Sequence, residues 1–361
     1  MDAARHFSQS YAEARAKFLA AADAADLDAT PHVHPLRGRD GEELALDVVL
    51  DGARDAEALL IVSSACHGVE GYCGSGIQIA MLQDDTLRRS ARDAGVAVLY
   101  LHALNPWGFS WWRRTTQENV DLNRNFQDFT RPLPANPGYD TIAHWLVPET
   151  WPAPPEVEAR LAGFAREHGP AVLHEAISGG QYAYPEGLFY GGVNPTWSHV
   201  TLRHVLREHG RHCRRLGWID LHTGLGPEGV GERIFACKDD AAALARARAW
   251  WGEGVTSIYD GSSTSALLTG LMWMAAYEEC GQAEYTGIAL EYGTVPLEDT
   301  LLALRADQWL ENHPEADEAT AARIKRQIRD AFYTDTDEWK RRVVEQAFDA
   351  TRQAVRGLSA G

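Results

Sequence analysis

An apolar run followed by a glycine-rich stretch limits the folds open to this chain more than any other feature. Residues 58–62, with the sequence ALLIV, carry no polar side chain, which is typical of a strand buried on both faces. The glycine-rich stretch leads into a helix at residues 77–82 and then into a second apolar run at 96–106. This order of strand, helix and strand predicts an α/β fold with a parallel sheet.

The rest of the chain continues this alternation, and helix dominates its two ends. Residues 107–155 are rich in tryptophan, proline and asparagine and show little periodicity, which predicts a long ordered loop. No linker interrupts the chain, so we predict a single domain over residues 1–361, with an N-terminal helix at about 5–25 and a C-terminal helical extension at about 296–361. The other predicted elements are strands at 30–38, 44–50, 217–226, 232–237 and 285–294 and helices at 155–168, 196–210 and 239–251.

The charge balance excludes some classes of partner. The chain carries 34 Lys and Arg against 51 Asp and Glu, a net charge of −17. It therefore lacks the concentrated positive potential that binding to nucleic acid or an anionic membrane requires. No apolar stretch reaches the roughly 18 residues of a membrane span, and the N-terminus has no signal-peptide core. The five cysteines form no C-x-x-C pair, which favours reduced thiols and a cytoplasmic location.

Three apolar strands end in side chains that can bind a metal or carry a proton. His67 and Glu70 follow the strand at 58–64, whereas His222 lies in IDLHTGLG and Glu291 in IALEYGT. Ligands of open α/β sheets bind beyond the carboxyl ends of the strands, so we expect these side chains to converge. Two histidines and one carboxylate form a catalytic zinc set that leaves one position for water. The H-x-x-E spacing suits a turn leaving a strand, which the glycines of HGVEGYCGSG allow to fold tightly.

Each of these residues also has an ordinary structural interpretation. His67 could bond to a backbone carbonyl while Glu70 caps the following helix. His222 could be a satisfied core histidine, and Glu291 could pair with an arginine. Cys66 is a weaker candidate ligand than His67, because neighbouring residues of a strand point to opposite faces.

A fourth segment, NPWGFSWWRRTTQENVDLNRNF at residues 105–126, makes the pattern specific. Together H-x-x-E, WRRT, DLNRNF, DLHTG and LEYG resemble the zinc carboxypeptidase family, the M14 metallopeptidases, in that family's chain order over residues 58–294. NPWGF and NVDLNRNF with GQYAYPEGLFYGG are similar to an uncharacterised bacterial branch of this clan, DUF2817. The resemblance implies a zinc-carboxypeptidase-like fold, with a mixed, mostly parallel central sheet and helices on both faces.

The resemblance also implies a hydrolase and assigns the central roles. His67, Glu70 and His222 would hold Zn²⁺, which lowers the pKa of bound water from 15.7 towards ~7. Glu291 would accept a proton from that water and pass it to the leaving amine. Arg113 would face the carbonyl oxygen on which negative charge builds.

The same resemblance implies residues that bind the substrate or orient the ligands. Asn123 and Arg124 would grip a substrate carboxylate, for which the planar guanidinium fork is better suited than lysine. Asp121 resembles the family's aspartate that hydrogen-bonds the first zinc histidine. Asp220 lies two residues before His222, on the same strand face, and is a further orienting candidate. In isolation, arginines and aspartates of this segment would be read as surface ion pairs.

One departure from the family pattern leaves the substrate open. The digestive members carry a mobile tyrosine before the catalytic glutamate, and STSALLTGLMWMAAYEE has none at that place, although Tyr259, Tyr277 or Tyr285 could substitute. The substrate is therefore either a small peptide, cut at its C-terminus, or a small N-acyl amino acid, as for the aspartoacylase and succinylglutamate desuccinylase relatives. A non-catalytic carboxylate-binding protein is a further hypothesis. GQYAYPEGLFYGG and the helices after residue 296 either roof the pocket or pack as ordinary structure. The sequence predicts no oligomeric state.

Overall fold

One sheet holds the strands of the molecule together. The computed structural model describes residues 3–360. The strands of this range are β1 (Ala29–Arg37), β2 (Glu43–Asp51), β3 (Ala58–Ser64), β4 (Val96–His102), β5 (Arg215–Glu228), β6 (Gly231–Phe235) and β7 (Glu284–Gly293). They lie side by side in the order β1-β2-β4-β3-β5-β7-β6.

The centre of the sheet is parallel and its flanks are antiparallel. β4, β3, β5 and β7 pair in parallel, whereas the β1–β2, β2–β4 and β6–β7 pairings are antiparallel. β3 and β4 are buried along their whole length, which explains their unbroken apolar sequences. The predicted mixed sheet with a parallel centre is confirmed, although β4 ends at His102 and not at residue 106.

Helices fill most of the chain between and after the strands. Within residues 3–360 they are α1 (Tyr11–Ala24), α2 (Gly71–Leu82), α3 (Asp85–Asp93), α4 (Pro106–Trp111), α5 (Leu122–Asn125), α6 (Pro137–Leu146), α7 (Pro155–His168), α8 (Pro170–Ser178), α9 (Trp197–His209), α10 (Ala241–Trp251), α11 (Met274–Glu279), α12 (Leu297–Asn312), α13 (Glu318–Phe332) and α14 (Asp337–Ser359).

Helices lie near both ends of the described range, although α1 is shorter than the predicted helix at about 5–25. α1 begins at Tyr11 because the Ser10 hydroxyl caps it, accepting a hydrogen bond from the Glu13 backbone N–H. α12, α13 and α14 follow one another through the predicted C-terminal extension. Positions 1, 2 and 361 of the predicted single domain lie outside the described residues, and the single domain stays a prediction.

The glycines after β3 allow α2 to lie close to its neighbours. The helix begins at Gly71 and not at residue 77, so the glycine-rich stretch belongs to it. A Cβ on Gly74 would meet the Ser64 Cβ at 2.5 Å, and a Cβ on Gly71 would meet the Phe109 ring at 2.5 Å. The small residues therefore serve close packing as well as the turn that precedes the helix.

The prediction of one long loop over residues 107–155 is wrong. α4, α5 and α6 lie in or at the edge of this range, and α7 begins at its end. α4 and α6 each start with a proline behind a capping asparagine. The side-chain oxygens of Asn105 and Asn136 accept bonds of 2.9 Å from the backbone N–H groups of Gly108 and Tyr139. Asn-Pro is a helix start signal, and these helices are too short for their periodicity to stand out. α8 was not predicted either.

A second apolar cluster joins the helices of the central segment to the C-terminal extension. Ile142, Leu161 and Ile177 from α6, α7 and α8 belong to the same buried cluster as Leu304 of α12 and Ile328 of α13. Arg305 of α12 also donates to the carbonyl of Leu146 at 2.8 Å and forms an ion pair of 2.8 Å with Glu158. α6, α7 and α12 are thereby tied into one body.

The sequence predicts reduced cysteines and no membrane-spanning segment. All five cysteines are unpaired and buried. Among the described residues, no helix has both the length and the apolar character required to cross a membrane.

Candidate metal centre and its cavity

The structure brings the four strand-end side chains together. After β3 the chain passes through His67 into a 3₁₀ turn, Gly68–Glu70. His222 of β5 and Glu291 of β7 are direct register partners in the sheet. Since neighbouring strands lie roughly 5 Å apart, Glu291 stands beside His222 at the same edge.

Glu70 lies between the two histidines. Its Oε1 is 2.8 Å from His67 Nδ1, and its Oε2 is 3.0 Å from His222 Nδ1. One possible ligand atom from each of these residues lies within 4.8 Å of the other two, and all three side chains are buried. Two imidazole nitrogens and a carboxylate at this spacing form a donor set suited to Zn²⁺.

A carboxylate lies at the outer nitrogen of each histidine. Asp121 Oδ1 is 3.3 Å from His67 Nε2, and Asp220 Oδ2 is 2.6 Å from His222 Nε2. Asp220 also accepts a bond of 2.6 Å from the Ser63 hydroxyl of β3. Such contacts fix the ring orientation and tautomer of a metal-binding histidine. Each aspartate thus contacts a histidine of the cluster, and its orienting role stays a prediction.

Backbone hydrogen bonds hold the turn that carries His67 and Glu70. The N–H groups of Gly68 and Val69 donate to the carbonyls of Arg114 and Arg113 at 3.1 and 2.9 Å. A Cβ on Gly68 would lie 2.1 Å from the Gly108 carbonyl carbon, so only glycine fits at this position. The turn thus depends on the segment that begins with α4.

The charges of the cluster compensate one another. Burial alone would raise the pKa of Glu70, but the charges and hydrogen bonds of His67 and His222 outweigh it and lower this pKa. Burial alone would lower the pKa of His222, but Asp220 and then Glu70 raise it well above its usual value. His222 therefore tends to carry a proton beside the ionised carboxylate of Glu70.

Glu291 differs from Glu70 in its electrostatics. Burial, followed by repulsion from the charge of Glu70, raises the pKa of Glu291 to about 8. Its Oε1 accepts a bond of 3.0 Å from the Leu225 backbone N–H, and 8% of the residue is exposed. A carboxyl whose pKa is shifted towards neutrality in a cavity is a candidate proton carrier.

The prediction that Arg113 faces the substrate carbonyl is wrong. Arg113 does not line the cavity that contains the cluster and instead lies against α12, 3.3 Å from Asp307 and 2.5 Å from Glu311. Its Nη2 also donates to Asn119 at 2.9 Å and to Gln308 at 3.1 Å. Asp307 and Glu311 are four residues apart and so share a helix face, which is a sequence signal for a paired cation.

Arg114, and not Arg113, lies against the cluster and lines the cavity. Its Nε donates to Asp121 Oδ2 at 2.9 Å, and its Nη1 donates to Glu70 Oε1 at 3.2 Å. Burial opposes its charge, but Asp121 and then Glu70 raise the pKa of Arg114. WRRT contains two adjacent arginines whose side chains point in different directions, since Arg113 meets α12 and Arg114 meets the cluster.

Asn123 and Arg124, the two residues predicted to bind the substrate, both line the cavity. Asn123 Oδ1 accepts a bond of 3.0 Å from the Met272 backbone N–H. Arg124 donates from Nε and Nη2 to the Ser178 carbonyl at 3.2 and 2.5 Å, and from Nη1 to the Asn123 carbonyl at 2.9 Å. These bonds leave a hydrogen on each terminal nitrogen of the guanidinium for a ligand.

The cavity has a volume of about 530 Å³ and is mostly apolar beyond the polar cluster. This volume lies in the range of small-molecule sites. α8, α12 and the strands β6 and β7 all contribute to its wall. Its larger apolar side chains include Ile177, Ile234, Ile258, Leu271, Trp273, Leu301 and Phe332.

The tyrosines considered as substitutes for the family's mobile tyrosine do not line this cavity. The hydroxyls of Tyr259 and Tyr285 donate to the carbonyls of Cys237 and Ala236, and the Tyr277 hydroxyl accepts from the Lys238 N–H. The three side chains therefore have structural roles.

Cys66 belongs to a second group of possible ligands. Its thiol, with Asp220 and His222, satisfies the same distance criterion as the first group. Burial, followed by the charge of Asp220, raises the pKa of the Cys66 thiol well above its usual value. Because only the thiolate is a good ligand, the group with His67 and Glu70 is better suited to a metal.

The segment GQYAYPEGLFYGG contributes one side chain to the cavity wall, that of Phe189. The segment is otherwise bound to residues 119–125: the Tyr182 hydroxyl donates to the Arg124 carbonyl at 2.7 Å, and the Asp121 N–H donates to the Tyr190 carbonyl at 2.8 Å. The sequence indicates two candidates to cover the pocket, this segment and the helices after residue 296. Of these, α12 contributes more side chains to the cavity wall than the segment does.

The family model described as "Protein of unknown function (DUF2817)" matches residues 7–346. This confirms the DUF2817 resemblance inferred from the motifs. No curated protein matches this chain.

Several solved structures resemble the chain at low sequence identity. Carboxypeptidase A from Helicoverpa armigera has 13% identity and a TM-score of 0.48, covering 98% of this chain and 74% of the other. Bovine thrombin-activatable fibrinolysis inhibitor, in complex with tick carboxypeptidase inhibitor, has 11% identity and a TM-score of 0.47, covering 98% of each chain. A metallo-carboxypeptidase from Burkholderia cenocepacia has 12% identity and a TM-score of 0.43, covering 96% and 68%. Because these scores are low, we infer the function from the side chains of the site alone.

Proposed function

The chain belongs to the family described as protein of unknown function, DUF2817, and we propose that it is a zinc-dependent hydrolase of an amide bond next to a free carboxylate. The observation that carries the proposal is the convergence of His67, Glu70 and His222 on one point, with Glu291 beside them in the same cavity.

The donor set fits zinc better than a hard cation. His67 and His222 would each bind through Nδ1, because Nδ1 faces Glu70 while Nε2 faces an orienting aspartate. Imidazole nitrogen suits Zn²⁺, whereas Mg²⁺ and Ca²⁺ prefer oxygen ligands. Zinc bound there would lower the pKa of a water molecule towards ~7 and so supply a nucleophile at neutral pH.

Glu291 would carry the proton. Its pKa of about 8 reflects burial and repulsion from the charge of Glu70. Once a zinc ion adds positive charge beside Glu70, we expect Glu291 to be ionised near neutral pH. It would then accept a proton from the attacking water and give it to the leaving amine.

The two cavity arginines would each bind a different oxygen-bearing group of the substrate. Arg114, fixed by Asp121 and Glu70, would stabilise the carbonyl oxygen as it gains negative charge. Arg124 would bind the free carboxylate through its two remaining terminal hydrogens, next to Asn123. The apolar wall beyond them favours a substrate with an apolar side chain, because a charged one would lose its hydration without gaining a partner.

A second substrate class fits the same site. The cavity of about 530 Å³ is large enough for a whole acylated amino acid, and α8 and α12 form part of its wall. This favours a small N-acyl amino acid as an alternative to a peptide C-terminus. A series of N-acylated substrates of increasing peptide length separates the two. Hydrolysis rates that fall as the peptide lengthens favour the deacylase, whereas rates that stay constant favour the carboxypeptidase.

The test of the proposed function is Glu291→Gln in the zinc-loaded protein. Loss of the general base should lower hydrolysis of N-acyl amino acids and short peptides by about 10²–10⁴-fold, measured as released amine. Zinc content, measured by atomic absorption, should stay at the wild-type value. A variant that keeps wild-type turnover would exclude Glu291 as the base. Wild-type protein that binds zinc and carboxylates but hydrolyses none of the series would be a non-catalytic binding protein.

A further inference from the structure

The ring of Phe189 lies beside the guanidinium groups of both cavity arginines. Its centroid is 5.3 Å from Arg114 Cζ and 5.6 Å from Arg124 Cζ. Phe189 is 8% exposed and lines the cavity together with both arginines. A guanidinium within about 6 Å of a ring centroid is attracted by the negative face of the ring. One aromatic side chain thus contacts both of the cations that would bind the substrate.

The cavity holds two cations, of which Arg124 is buried and Arg114 partly buried, and both need such compensation. Burial lowers the pKa of Arg124, Asp121 opposes this, and the charge of Arg114 lowers it further. Asp121 lies 2.9 Å from Arg114 Nε and 3.9 Å from Arg124 Nη1. An aromatic face attracts a guanidinium without occupying its N–H groups. Phe189 therefore stabilises the arginines and leaves their donors available, which another carboxylate would not do.

The backbone around Phe189 is also unusual. Its φ of +53° lies in the left-handed region, which a bulky side chain rarely adopts. The neighbouring bonds from Tyr182 to the Arg124 carbonyl and from the Asp121 N–H to the Tyr190 carbonyl hold the segment in this shape. The left-handed residue is thus fixed by the same short segment, residues 119–125, that carries Arg124. Strain of this kind persists where the surrounding structure enforces it, and it tends to occur at functional sites.

We propose that Phe189 is a positioning residue that holds Arg114 and Arg124 at the separation at which one meets the carbonyl oxygen and the other the carboxylate of the same substrate. The proposal rests on the proposed function for the roles of the two arginines. Whether the orientation of Arg114 and Arg124 depends on the Phe189 ring can be measured without turnover.

The test replaces the ring and then restores it. In zinc-loaded Phe189→Leu we expect the Kd of N-acetyl-L-phenylalanine, measured by calorimetry, to rise about tenfold, and kcat on a substrate of the wild type to fall about tenfold, because both arginines lose an attraction. Phe189→Tyr keeps an aromatic face and should stay within about threefold of the wild type in both quantities.

A matched control separates positioning from packing. Leu161 belongs to the same second apolar cluster but does not line the cavity. Leu161→Ala should lower the thermal unfolding midpoint at least as much as Phe189→Leu, with Kd and kcat unchanged. If Leu161→Ala weakens binding as much as Phe189→Leu does, or if Phe189→Tyr fails to restore binding, the proposal is overturned.

An NMR measurement tests the role of Phe189 without relying on hydrolysis. The side-chain Nε–H signals of Arg114 and Arg124, assigned in ¹⁵N spectra with Arg→Lys variants, should carry ring-current shifts that disappear in Phe189→Leu and remain in Phe189→Tyr. Unchanged shifts in Phe189→Leu would overturn the proposal. If the wild type hydrolyses no substrate, the proposed function fails, and these shifts still decide the role of Phe189.

Discussion

Adjacent arginines of one short segment have opposite environments. Arg113 is neutralised by Asp307 and Glu311 of α12, whereas Arg114 lies against Glu70 and Asp121 in the candidate site. The first ties the segment to the C-terminal helices, and the second presents a cation to the cavity. The same residue type therefore serves packing at one position and lines the candidate site at the next.

Matched lysine substitutions should separate these two roles. Arg114→Lys keeps the charge but loses the fork that reaches Glu70 and Asp121, so we expect turnover to fall by about 10². Arg113→Lys keeps a charge for Asp307 and Glu311, so turnover should stay within about threefold of the wild type. The measurement is kcat for both variants on the same amide substrate. Equal losses in the two variants would contradict the assignment of Arg114.

His102 at the end of β4 provides a pH-dependent prediction. Its ring is fully buried, stacked on Phe18 at a centroid distance of 4.3 Å, with Nε2 2.8 Å from the Ser75 hydroxyl. Burial lowers the pKa of His102 from 6.5 to about 3. Because the folded pKa is the lower one, the unfolded chain binds more protons as the pH falls below about 6.5, and the free energy of unfolding decreases from there towards pH 3.

The contribution of His102 at pH 5 is about 2 kcal/mol. Between about pH 8 and pH 5, the free energy of unfolding measured with urea should decrease by this amount more in the wild type than in His102→Gln. The variant has no titrating ring. Parallel decreases in the two proteins would contradict the assignment, even if the substitution itself lowers stability at both values.

At the scale of elements, the 3₁₀ turn after β3 determines where two of the candidate ligands lie. His67 and Glu70 flank Gly68 and Val69, whose N–H groups bond to the segment after α4. The position of the cluster therefore depends on the packing of this turn against α4, as well as on the ends of the strands.

Gly68→Ala should disrupt this turn. The added Cβ would lie 2.1 and 2.3 Å from backbone atoms of Gly108 and Phe109, which cannot rotate away. We expect a loss of about 3 kcal/mol or more in the free energy of unfolding, together with loss of zinc binding. Gly163→Ala in α7 is the control: its Cβ would meet only Arg166 Nη2 at 3.8 Å, and it should be neutral or stabilising by up to about 1 kcal/mol. Equal effects in the two variants would contradict this account of the turn.

The elements that could be predicted are those with a strong local signal. β3 begins with the unbroken apolar run 58–62, and its predicted bounds agree with the structure, whereas β5 carries Asp220 and His222 among apolar residues and extends two residues beyond its predicted bounds at each end. α4 and α6 were missed because they are short, and α8 because only tertiary packing on its neighbours marks it. The choice between Arg113 and Arg114 depends on which face of one segment meets α12, and a motif contains no information about that contact.

For the whole molecule, the candidate site joins distant parts of the chain. His67 follows β3 and His222 lies on β5, and these two strands are paired in the centre of the sheet. A metal that binds both would be linked to the native fold, because the unfolded chain does not hold these residues together. The stability of the whole molecule should therefore depend on the metal.

Zinc at about 100-fold above its Kd should raise the free energy of unfolding by about 2.7 kcal/mol relative to chelated protein. The measurement is urea unfolding with zinc buffer and with chelator. In Glu70→Gln, which removes the central ligand, the difference between the two conditions should disappear. A difference of the same size in this variant would place the stabilising zinc elsewhere.

Residues 119–125 and 180–192 exchange hydrogen bonds through Asp121, Arg124, Tyr182 and Tyr190. The two stretches are distant in the chain yet form one structural unit. Anyone who grafts a foreign sequence into this scaffold, or recombines it with a homologue, must exchange both stretches together. A crossover between them would separate each donor from its acceptor and leave Arg124 without this support.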